Sequence, residues 1–357
     1  MATQELNDQA LLARMGTLGA IIQNAAVLGP TLLGLRLGLY RALAGAPRST
    51  SDVIASSTGL HERWVREWLR QQSCAGIIDY NGDGRFSISP EAAALLADEA
   101  GPRWMGGMFY ALPYLLGNVI RLEESFRTGV GLTWDDRGEY AAEATEQSFR
   151  TWHQHQLVPV ALPALDGVVE KLRAGGAAAD VGCGAGIAVV EMAKAFPKAA
   201  FHGYDISAQA LARAVANARE AGVTNAFFHN IAQEALPGSA FDLITTFDCL
   251  HDMTRPDEAA AAIRRAMKPD GVWLIADING QPTFEDNLEK NPLARMMYAM
   301  SIMSCMSSSM SEEDGAGLGT LGLPEPAMRD LVQAAGFTNF RRLDLPHPVN
   351  AFYEVRP

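Results

Sequence analysis

The chain has 357 residues, of which 48% are hydrophobic and 20% charged, and it carries a formal net charge of −12 at pH 7. This length allows two domains with well-buried cores, and the composition is that of an ordinary soluble globular protein. The acidic balance excludes nucleic acid as the expected partner, because neutralising phosphates requires a basic surface.

The cysteines and the N-terminal region indicate a cytoplasmic protein that does not enter a membrane. Cys74, Cys183, Cys249 and Cys305 are scattered without C-x-x-C spacing, so neither a disulfide framework nor a zinc knuckle is expected. The first eight residues lack the basic and apolar regions of a signal peptide. Residues 18–43 are apolar but interrupted by polar residues and a proline, which favours buried helices over a membrane span.

Helical patterns cover residues 4 to 45, with apolar side chains at spacings of three and four on either side of Pro30. The resulting apolar stripes are wide for a small domain. Burial of these stripes against a second copy of the chain is therefore expected, which predicts a homodimer.

A helix-turn-helix with a wing is predicted between residues 48 and 90. Two short helices, at 51–57 and 61–74, precede strand-like segments that flank the Asn81-Gly-Asp-Gly84 turn. A DNA-recognition helix should be basic, but the arginines of the second helix are matched by Glu62 and Glu67. A structural role is favoured, and a DNA-binding regulator remains the alternative.

Residues 100 to 160 form helices that are unusually rich in aromatic residues, and packing in a core between domains is the simplest role for any one of them. His153 and His155 are two residues apart and would not share a helix face, so no metal site is predicted there. The link to the next domain is placed between Pro159 and Gly176, where glycines and prolines punctuate a short helix.

A glycine-rich turn follows an apolar strand at Ala178 to Ala188. Glycines at positions 182, 184 and 186 allow a tight turn without a Cβ near a ligand, and the following helix start can present amides to polar groups. The dinucleotide fingerprint would require glycine where Ile187 stands, which counts against a nicotinamide-dependent oxidoreductase. The turn therefore predicts a different nucleoside-binding site.

The pattern D-x-G-x-G-x-G that begins at Asp180 resembles the first motif of class I S-adenosylmethionine (SAM) dependent methyltransferases. Two further stretches support the resemblance: an apolar strand that ends in Asp205, and the order strand, charged helix, Lys268-Pro-Asp-Gly271 turn and strand up to Asp277. A carboxylate at position 205 could accept hydrogen bonds from both ribose hydroxyls. The resemblance implies SAM as cofactor.

The resemblance also implies a set of cofactor-binding residues along the strand ends. They are Asp180, Gly182, Cys183, Gly184, Gly186, Asp205, Ile206, Asn230, Ile231, Phe247 and Asp248. Members of the family commonly offer an aspartate to the adenine amino group, but Ala232 stands at the aligned position. Asn230 or Gln233 are the proposed substitutes.

His251 is the candidate general base. Leu250-His251-Asp252 resembles the L-H-D-W stretch of plant-type small-molecule O-methyltransferases, with Met253 in place of the tryptophan. The histidine of that stretch deprotonates the acceptor hydroxyl in those enzymes. Histidine suits this task near neutral pH, and Asp252 is the nearest carboxylate that could orient it. A packing role for His251 is the alternative.

The sequence says less about the methyl acceptor than about the cofactor. The resemblance implies that the aromatic helices line the acceptor pocket. The Met-rich segment 292–310 is most simply an apolar core stripe, and the functional alternative is that it closes a soft apolar pocket over the acceptor. The candidate contacts are Tyr110, Trp152, His153, Met297 and Met300. A small hydroxyl compound is favoured by His251. A small thiol is the alternative, because a thiolate needs little help from a base.

The fold expected from this resemblance is a Rossmann-like, seven-stranded, mostly parallel α/β sheet with an antiparallel C-terminal hairpin. A mainly helical winged-helix domain for dimerisation precedes it. The expected domains are residues 1–160 and 161–357. A SAM-sensing regulator that binds DNA through the winged helix remains the rival from another functional class.

Overall fold

The computed structural model describes residues 6–357 apart from the side chain of Glu139, so positions 4 and 5 of the first predicted helix lie outside the described part. Backbone contacts divide the chain into two compact units, residues 1–112 and 113–357. The division falls earlier than the expected boundary at residue 160. The physical reason is that helices from this region pack on the sheet unit, where Arg213 Nη2 donates to Glu146 Oε2 at 2.6 Å.

The first unit is mainly helical and contains one short hairpin. Its helices are α1 (Asp8–Arg36), α2 (Leu39–Ala44), α3 (Ser51–Thr58), α4 (Glu62–Cys74), α5 (Pro90–Leu96) and a 3-10 helix at Gly106–Ala111, and its strands are β1 (Asp79–Tyr80) and β2 (Phe86–Ser87). The two strands pair in antiparallel fashion around the predicted turn. The winged helix-turn-helix prediction is therefore matched element by element.

The N-terminal helix departs from expectation in two ways. It runs unbroken through Pro30, which has no N–H to donate to the preceding turn, and Trp68 Nε1 donates to the Pro30 carbonyl at 2.8 Å. Its N-terminal two thirds is not buried by its own chain, since Leu12 and Ile22 are 68% and 69% exposed. By length and composition α1 could also cross a membrane, and it is the only such helix in the range 6–357.

The second unit is a sheet with helices on its faces. Its helices are α6 (Leu112–Gly117, whose first residue belongs to the first unit), α7 (Val119–Thr128), α8 (Glu139–Trp152), α9 (Val168–Arg173), α10 (Ile187–Ala195), α11 (Ala208–Glu220), α12 (Pro256–Ala266), α13 (Phe284–Lys290), α14 (Ala294–Met300), α15 (Met306–Ser309) and α16 (Glu325–Ala334). Its strands are β3 (Ala177–Val181), β4 (Ala200–Asp205), β5 (Ala226–Asn230), β6 (Phe241–Phe247), β7 (Met267–Ile278), β8 (Asn339–Leu343) and β9 (Asn350–Arg356). Short 3-10 turns lie at Asp135–Arg137, Leu162–Ala164 and Leu250–Asp252, and π-helices at His153–Ala161 and Ser301–Cys305.

The seven strands are ordered β5-β4-β3-β6-β7-β9-β8. The first five are parallel, and β9 pairs antiparallel with both β7 and β8. The chain order reverses between β3 and β6, and ligands of open α/β sheets bind beyond the carboxyl ends of the strands at such a point. The expected sheet is confirmed, and its switch point lies beside the glycine-rich turn.

The Lys268-Pro-Asp-Gly271 segment was expected as a turn ahead of the strand but lies within β7. The register against β6 shifts there, because Phe241 pairs with Met267 whereas Leu243 pairs with Val272. The extra residues of β7 are accommodated as an irregularity between these two pairs. The predicted turn is therefore wrong, because these residues continue β7 and pair with the start of β6 at Met267.

Candidate active site

The glycine-rich turn joins β3 to α10 and has two kinds of glycine. Gly182, Gly184 and Gly186 all have left-handed φ, at 74°, 52° and 73°. A Cβ on Gly182 would lie 2.8 Å from the sulfur of Cys249, whereas a Cβ on Gly184 would meet no atom within 4 Å. Gly182 is therefore required for packing, and Gly184 leaves open space above the turn.

Asp205 ends β4 and holds the turn in place. Its Oδ2 accepts from the Gly184 N–H and its Oδ1 from the Ser207 N–H, both at 2.8 Å. Burial raises the pKa of Asp205, and these backbone donors oppose that shift. Each carboxylate oxygen can accept a second hydrogen bond, so Asp205 can still bind the hydroxyls of a ribose.

Asp180 lies behind the turn rather than at its surface. It is 2% exposed, and its Oδ1 accepts from Thr245 Oγ1 on the neighbouring strand at 2.7 Å. Burial raises the pKa of Asp180 to about 7, partly opposed by Thr245, while the charge of Asp205 adds to the increase. Asp180 is therefore tied to β6 inside the sheet, and its role toward the cofactor stays a prediction.

Replacing Asp180 with asparagine should change how stability depends on pH. An acid with a raised folded pKa binds more protons in the folded state, so wild-type stability should fall as pH rises from about 4 to about 7, by up to about 4 kcal/mol from this group. Asp180→Asn lacks this titration and should lose less stability over that range. Urea unfolding at pH 5 and pH 8 measures the difference, and parallel losses in the two proteins would contradict it.

The predicted residues at the ends of β4 and β5 come together. Ile231 N–H donates to the Asp205 carbonyl at 3.0 Å, and Asn230 Oδ1 accepts from the Ala232 N–H at 3.0 Å. Ile206 is 56% exposed at this edge. The side-chain oxygen of Asn230 thus stabilises the loop after β5. That Asn230 or Gln233 contacts adenine stays a prediction.

Phe247 and Asp248 end β6 on the other side of the glycine turn. Asp248 has a left-handed φ of 50° and accepts a short hydrogen bond from Asn350 Nδ2. Burial and the charge of Asp277 raise the pKa of Asp248 to about 8. Cys183 is buried within the sheet unit, and its sulfur would lie 2.8 Å from a Cβ placed on Gly203, which indicates a packing role.

His251 is 2% exposed and lies between two carboxylates. Its Nδ1 is 2.6 Å from Asp277 Oδ1 at the end of β7, and its Nε2 is 3.3 Å from Asp252 Oδ1. Asp277 therefore has the better position to orient the ring, and Asp252 faces the opposite ring nitrogen. This corrects the expectation that Asp252 is the orienting carboxylate.

The charge on His251 is set by these neighbours. Burial alone would lower the pKa of His251, but the carboxylates of Asp277 and Asp252 outweigh burial and hold its pKa well above the ordinary value. The pKa of Asp252 is itself raised by burial, an effect that His251 and Arg137 oppose. The two carboxylates thus favour the protonated form of His251.

Cys305 completes this cluster from the second π-helix. Its sulfur, a ring nitrogen of His251 and a carboxylate oxygen of Asp252 all lie within 4.8 Å of one another, and this is the one place in residues 6–357 where three possible metal-ligand atoms converge. Beside the cluster, Arg137 donates to the Ser304 side chain at 2.8 Å and to its carbonyl at 2.6 Å. These contacts fix the π-helix over the histidine.

The structure brings only some of the candidate acceptor-binding residues close to one another. Trp152 packs against Phe247, with ring centroids 5.7 Å apart, and His153 lies 4.8 Å from the same ring. Met297 is buried in a separate small core with Ile278 and Leu321, while Met300 is half-buried at the end of α14. Tyr110 belongs to the first unit, where the Arg36 guanidinium lies 5.7 Å from its ring.

Sequence reasoning missed Asp277, Arg137 and Cys305 as members of the site. A usable signal existed for Asp277, because it ends β7 next to the strand that leads to His251, and parallel neighbours end at the same edge. Arg137 and Cys305 lie outside the sheet strands. No local pattern in the sequence places them beside His251.

Comparison with protein families identifies both parts of the chain. Residues 172–317 match the model of a methyltransferase domain, and residues 26–98 match that of an Rv2258c-like winged HTH domain. The first match contains the glycine turn, Asp205, Asp248 and His251. The second contains α2 to α4 and the hairpin.

Two curated relatives are O-methyltransferases. A ubiquinone biosynthesis O-methyltransferase of Methylococcus capsulatus is 38% identical over 109 residues, which is 30% of this chain and 45% of that enzyme. A mitomycin biosynthesis 6-O-methyltransferase of Streptomyces lavendulae is 28% identical over 276 residues, covering 73% of this chain and 76% of the enzyme. The chain thus spans less than half of the first relative and about three quarters of the second.

Solved structures show the same fold over the whole chain. Human N-acetylserotonin methyltransferase in complex with SAM superposes with a TM-score of 0.66 at 17% identity, covering 100% of this chain and 99% of that one. An O-methyltransferase family protein from Burkholderia thailandensis gives a TM-score of 0.64 at 16% identity, covering 99% of each chain. With the two domain matches, these observations show a methyltransferase domain at residues 172–317 behind an Rv2258c-like winged HTH domain at residues 26–98, in the fold that these methyltransferase structures share.

Proposed function

We propose that the protein transfers the methyl group of SAM to a hydroxyl group of a small molecule, with His251 as general base. The observation that carries this proposal is the buried pair of His251 and Asp277, 2.6 Å apart, at the carboxyl edge of the sheet beside the glycine turn. A histidine held through Nδ1 by a carboxylate presents Nε2 to the reacting group. The names of the two curated relatives support oxygen as the acceptor atom.

The residues around the glycine turn fit SAM. The space above Gly184 admits a ligand against bare backbone, and Asp205 offers carboxylate oxygens to ribose hydroxyls. SAM carries a sulfonium, and a positive charge near the buried acids on the neighbouring strand ends favours their ionised forms. When bound, SAM supplies an activated methyl group, so the protein mainly has to position the acceptor and remove its proton.

His251 is the residue proposed to remove the proton from the acceptor hydroxyl. His251 can accept a proton from a hydroxyl only in its neutral form. A positive charge placed near the same carboxylates lowers the pKa of His251 and so favours the neutral form. Asp277 keeps the ring oriented while it does so, and Asp252 faces the edge that receives the proton. A thiol acceptor is the second candidate, and it would depend less on this base.

Calorimetric titration with SAM and with S-adenosylhomocysteine, using NADH as a control, tests the cofactor assignment. We expect both sulfur nucleosides to bind and NADH not to bind. A screen of phenols and thiols followed by mass spectrometry then identifies the acceptor class. Failure of both nucleosides to bind would contradict the proposal.

We further propose that the enzyme acts as a cytoplasmic homodimer without a nucleic-acid or membrane partner. The arginines of α4 support the absence of DNA binding, because Arg63 and Arg66 pair with Glu67 and Glu62 of the same helix. All four cysteines are free, which suits a reducing compartment. The exposed apolar face of α1 would be buried against a second copy of the chain in this dimer.

Charged substitutions on α1 should dissociate this dimer. Leu12→Glu combined with Ile22→Glu places two charges on the exposed apolar face, and desolvating a charge in an interface is costly. Light scattering after size exclusion should show a dimer for the wild type and a monomer for the variant. Gln9→Glu with Asn24→Glu is the matched control at exposed polar positions and should remain dimeric. A monomeric wild type would overturn the proposal.

A further inference from the structure

The imidazole of His153 is buried without a partner. The side chain is 7% exposed, and neither ring nitrogen has a hydrogen-bond partner in the described part of the chain. Leaving such groups unsatisfied costs free energy, so native structures pair most of them. The position therefore requires an explanation beyond ordinary core packing.

The surroundings of His153 are aromatic. Its ring centroid lies 4.8 Å from Phe247, 5.5 Å from Trp152 and 6.1 Å from Phe149. Burial lowers the pKa of His153 to about 3, so the ring is neutral and presents one N–H donor and one acceptor nitrogen. A neutral group that both donates and accepts, carried by a flat apolar body, would match this environment.

Backbone geometry gives an independent reason to place a ligand here. His153 is the first residue of a nine-residue π-helix, and π-helical segments occur frequently at functional sites. The other π-helix of the described chain ends at Cys305, in the cluster around His251. Phe247, which contacts His153, lies at the end of β6, four residues before His251.

We propose that His153 is a specificity-determining residue, which hydrogen-bonds a second polar substituent of a flat aromatic acceptor. The substituent is a hydroxyl or a similar neutral group, distinct from the one that receives the methyl. This inference rests on the proposed function, since the acceptor site is its setting. The aromatic rings around His153 contact the acceptor body, and the imidazole selects among ring substituents.

A matched pair of probes tests this role through binding alone. Catechol carries a second hydroxyl and phenol does not, and each is titrated calorimetrically into protein saturated with S-adenosylhomocysteine. The wild type should bind catechol more tightly than phenol by about 3- to 10-fold, the value of one net hydrogen bond. His153→Phe should remove that preference, and His153→Gln should restore part of it. His155→Phe, on the same π-helix, is the control and should keep the preference.

Nitrogen-15 NMR of histidine-labelled protein provides a second readout. Catechol should shift the ring-nitrogen resonances of His153, and phenol should shift them less. An unchanged preference in His153→Phe, or a wild type that binds neither probe, would overturn the inference. If the wild type prefers catechol but transfers no methyl group from SAM to any acceptor, the inference stands and the proposed function fails.

Discussion

Replacing His251 with alanine should lower turnover on a hydroxyl acceptor by about 10²- to 10⁴-fold, the usual contribution of a general base. Affinity for SAM should stay nearly unchanged, because most of the residues assigned to the cofactor lie on the glycine turn and at the ends of β4 and β5. Turnover is measured by mass spectrometry of the methylated product, and affinity by calorimetry. Unchanged turnover on a hydroxyl acceptor would remove His251 from the chemistry.

The pH profile separates a base from a packing residue. Carboxylates of Asp277 and Asp252 face the two ring nitrogens, Cys305 lies beside them, and together they raise the pKa of His251 above its ordinary value despite burial. The wild-type rate should therefore rise with pH as the imidazolium loses its proton, and this rise should extend above pH 6.5. His251→Ala should lack this limb.

Asp277→Asn is a milder test of the same role than His251→Ala, because it keeps the histidine and changes only its surroundings. It removes the charge next to Nδ1 but keeps a side chain of the same shape, so the pKa of His251 should fall and the rising limb should move to lower pH. A thiol acceptor gives a different pattern. If thiols are methylated equally fast by the wild type and His251→Ala, sulfur methylation without an essential base replaces the hydroxyl proposal.

Local patterns were sufficient to predict the sheet and the glycine-rich turn. The turn at Gly182 to Gly186 needs left-handed backbone at three positions, which glycine supplies at little cost, and this requirement is visible in sequence. The apolar strand expected to end in Asp205 is β4, which runs from Ala200 to Asp205. Such features depend on a few neighbouring residues, so their prediction does not require knowledge of the fold.

Features that depend on distant residues could not be predicted in the same way. The contact between His251 and Asp277 joins residues 26 positions apart, and Arg137 reaches Ser304 across 167 positions. Trp68 likewise donates to the Pro30 carbonyl within α1 across 38 positions, a contact that no local rule predicts. In each case the contact forms because the fold brings distant residues together, and the neighbouring sequence does not indicate which distant residue will be the partner.

Replacing Gly186 with alanine should damage both stability and cofactor binding. The residue has a φ of 73°, and a Cβ there would lie 2.6 Å from Phe228 Cε1 and 2.9 Å from the Cβ of Ala214. Left-handed backbone costs a non-glycine residue roughly 1–2 kcal/mol, and an overpacked core costs about 1–3 kcal/mol more. The free energy of unfolding should therefore fall by about 2–5 kcal/mol, with SAM affinity reduced at least about tenfold as the turn moves away from β5 and α11.

Gly184→Ala is the matched control because it has the same kind of backbone without the clash. Its φ is 52°, and no atom lies within 4 Å of the added Cβ, so the free energy of unfolding should fall by only about 1–2 kcal/mol. The methyl group would occupy the open space assigned to the ligand, so SAM affinity should still fall by about tenfold or more. Urea unfolding and calorimetric titration of both variants measure the two effects. If Gly184→Ala binds SAM as the wild type does, the cofactor does not lie on this face of the turn, and the assignment of the whole edge would have to change.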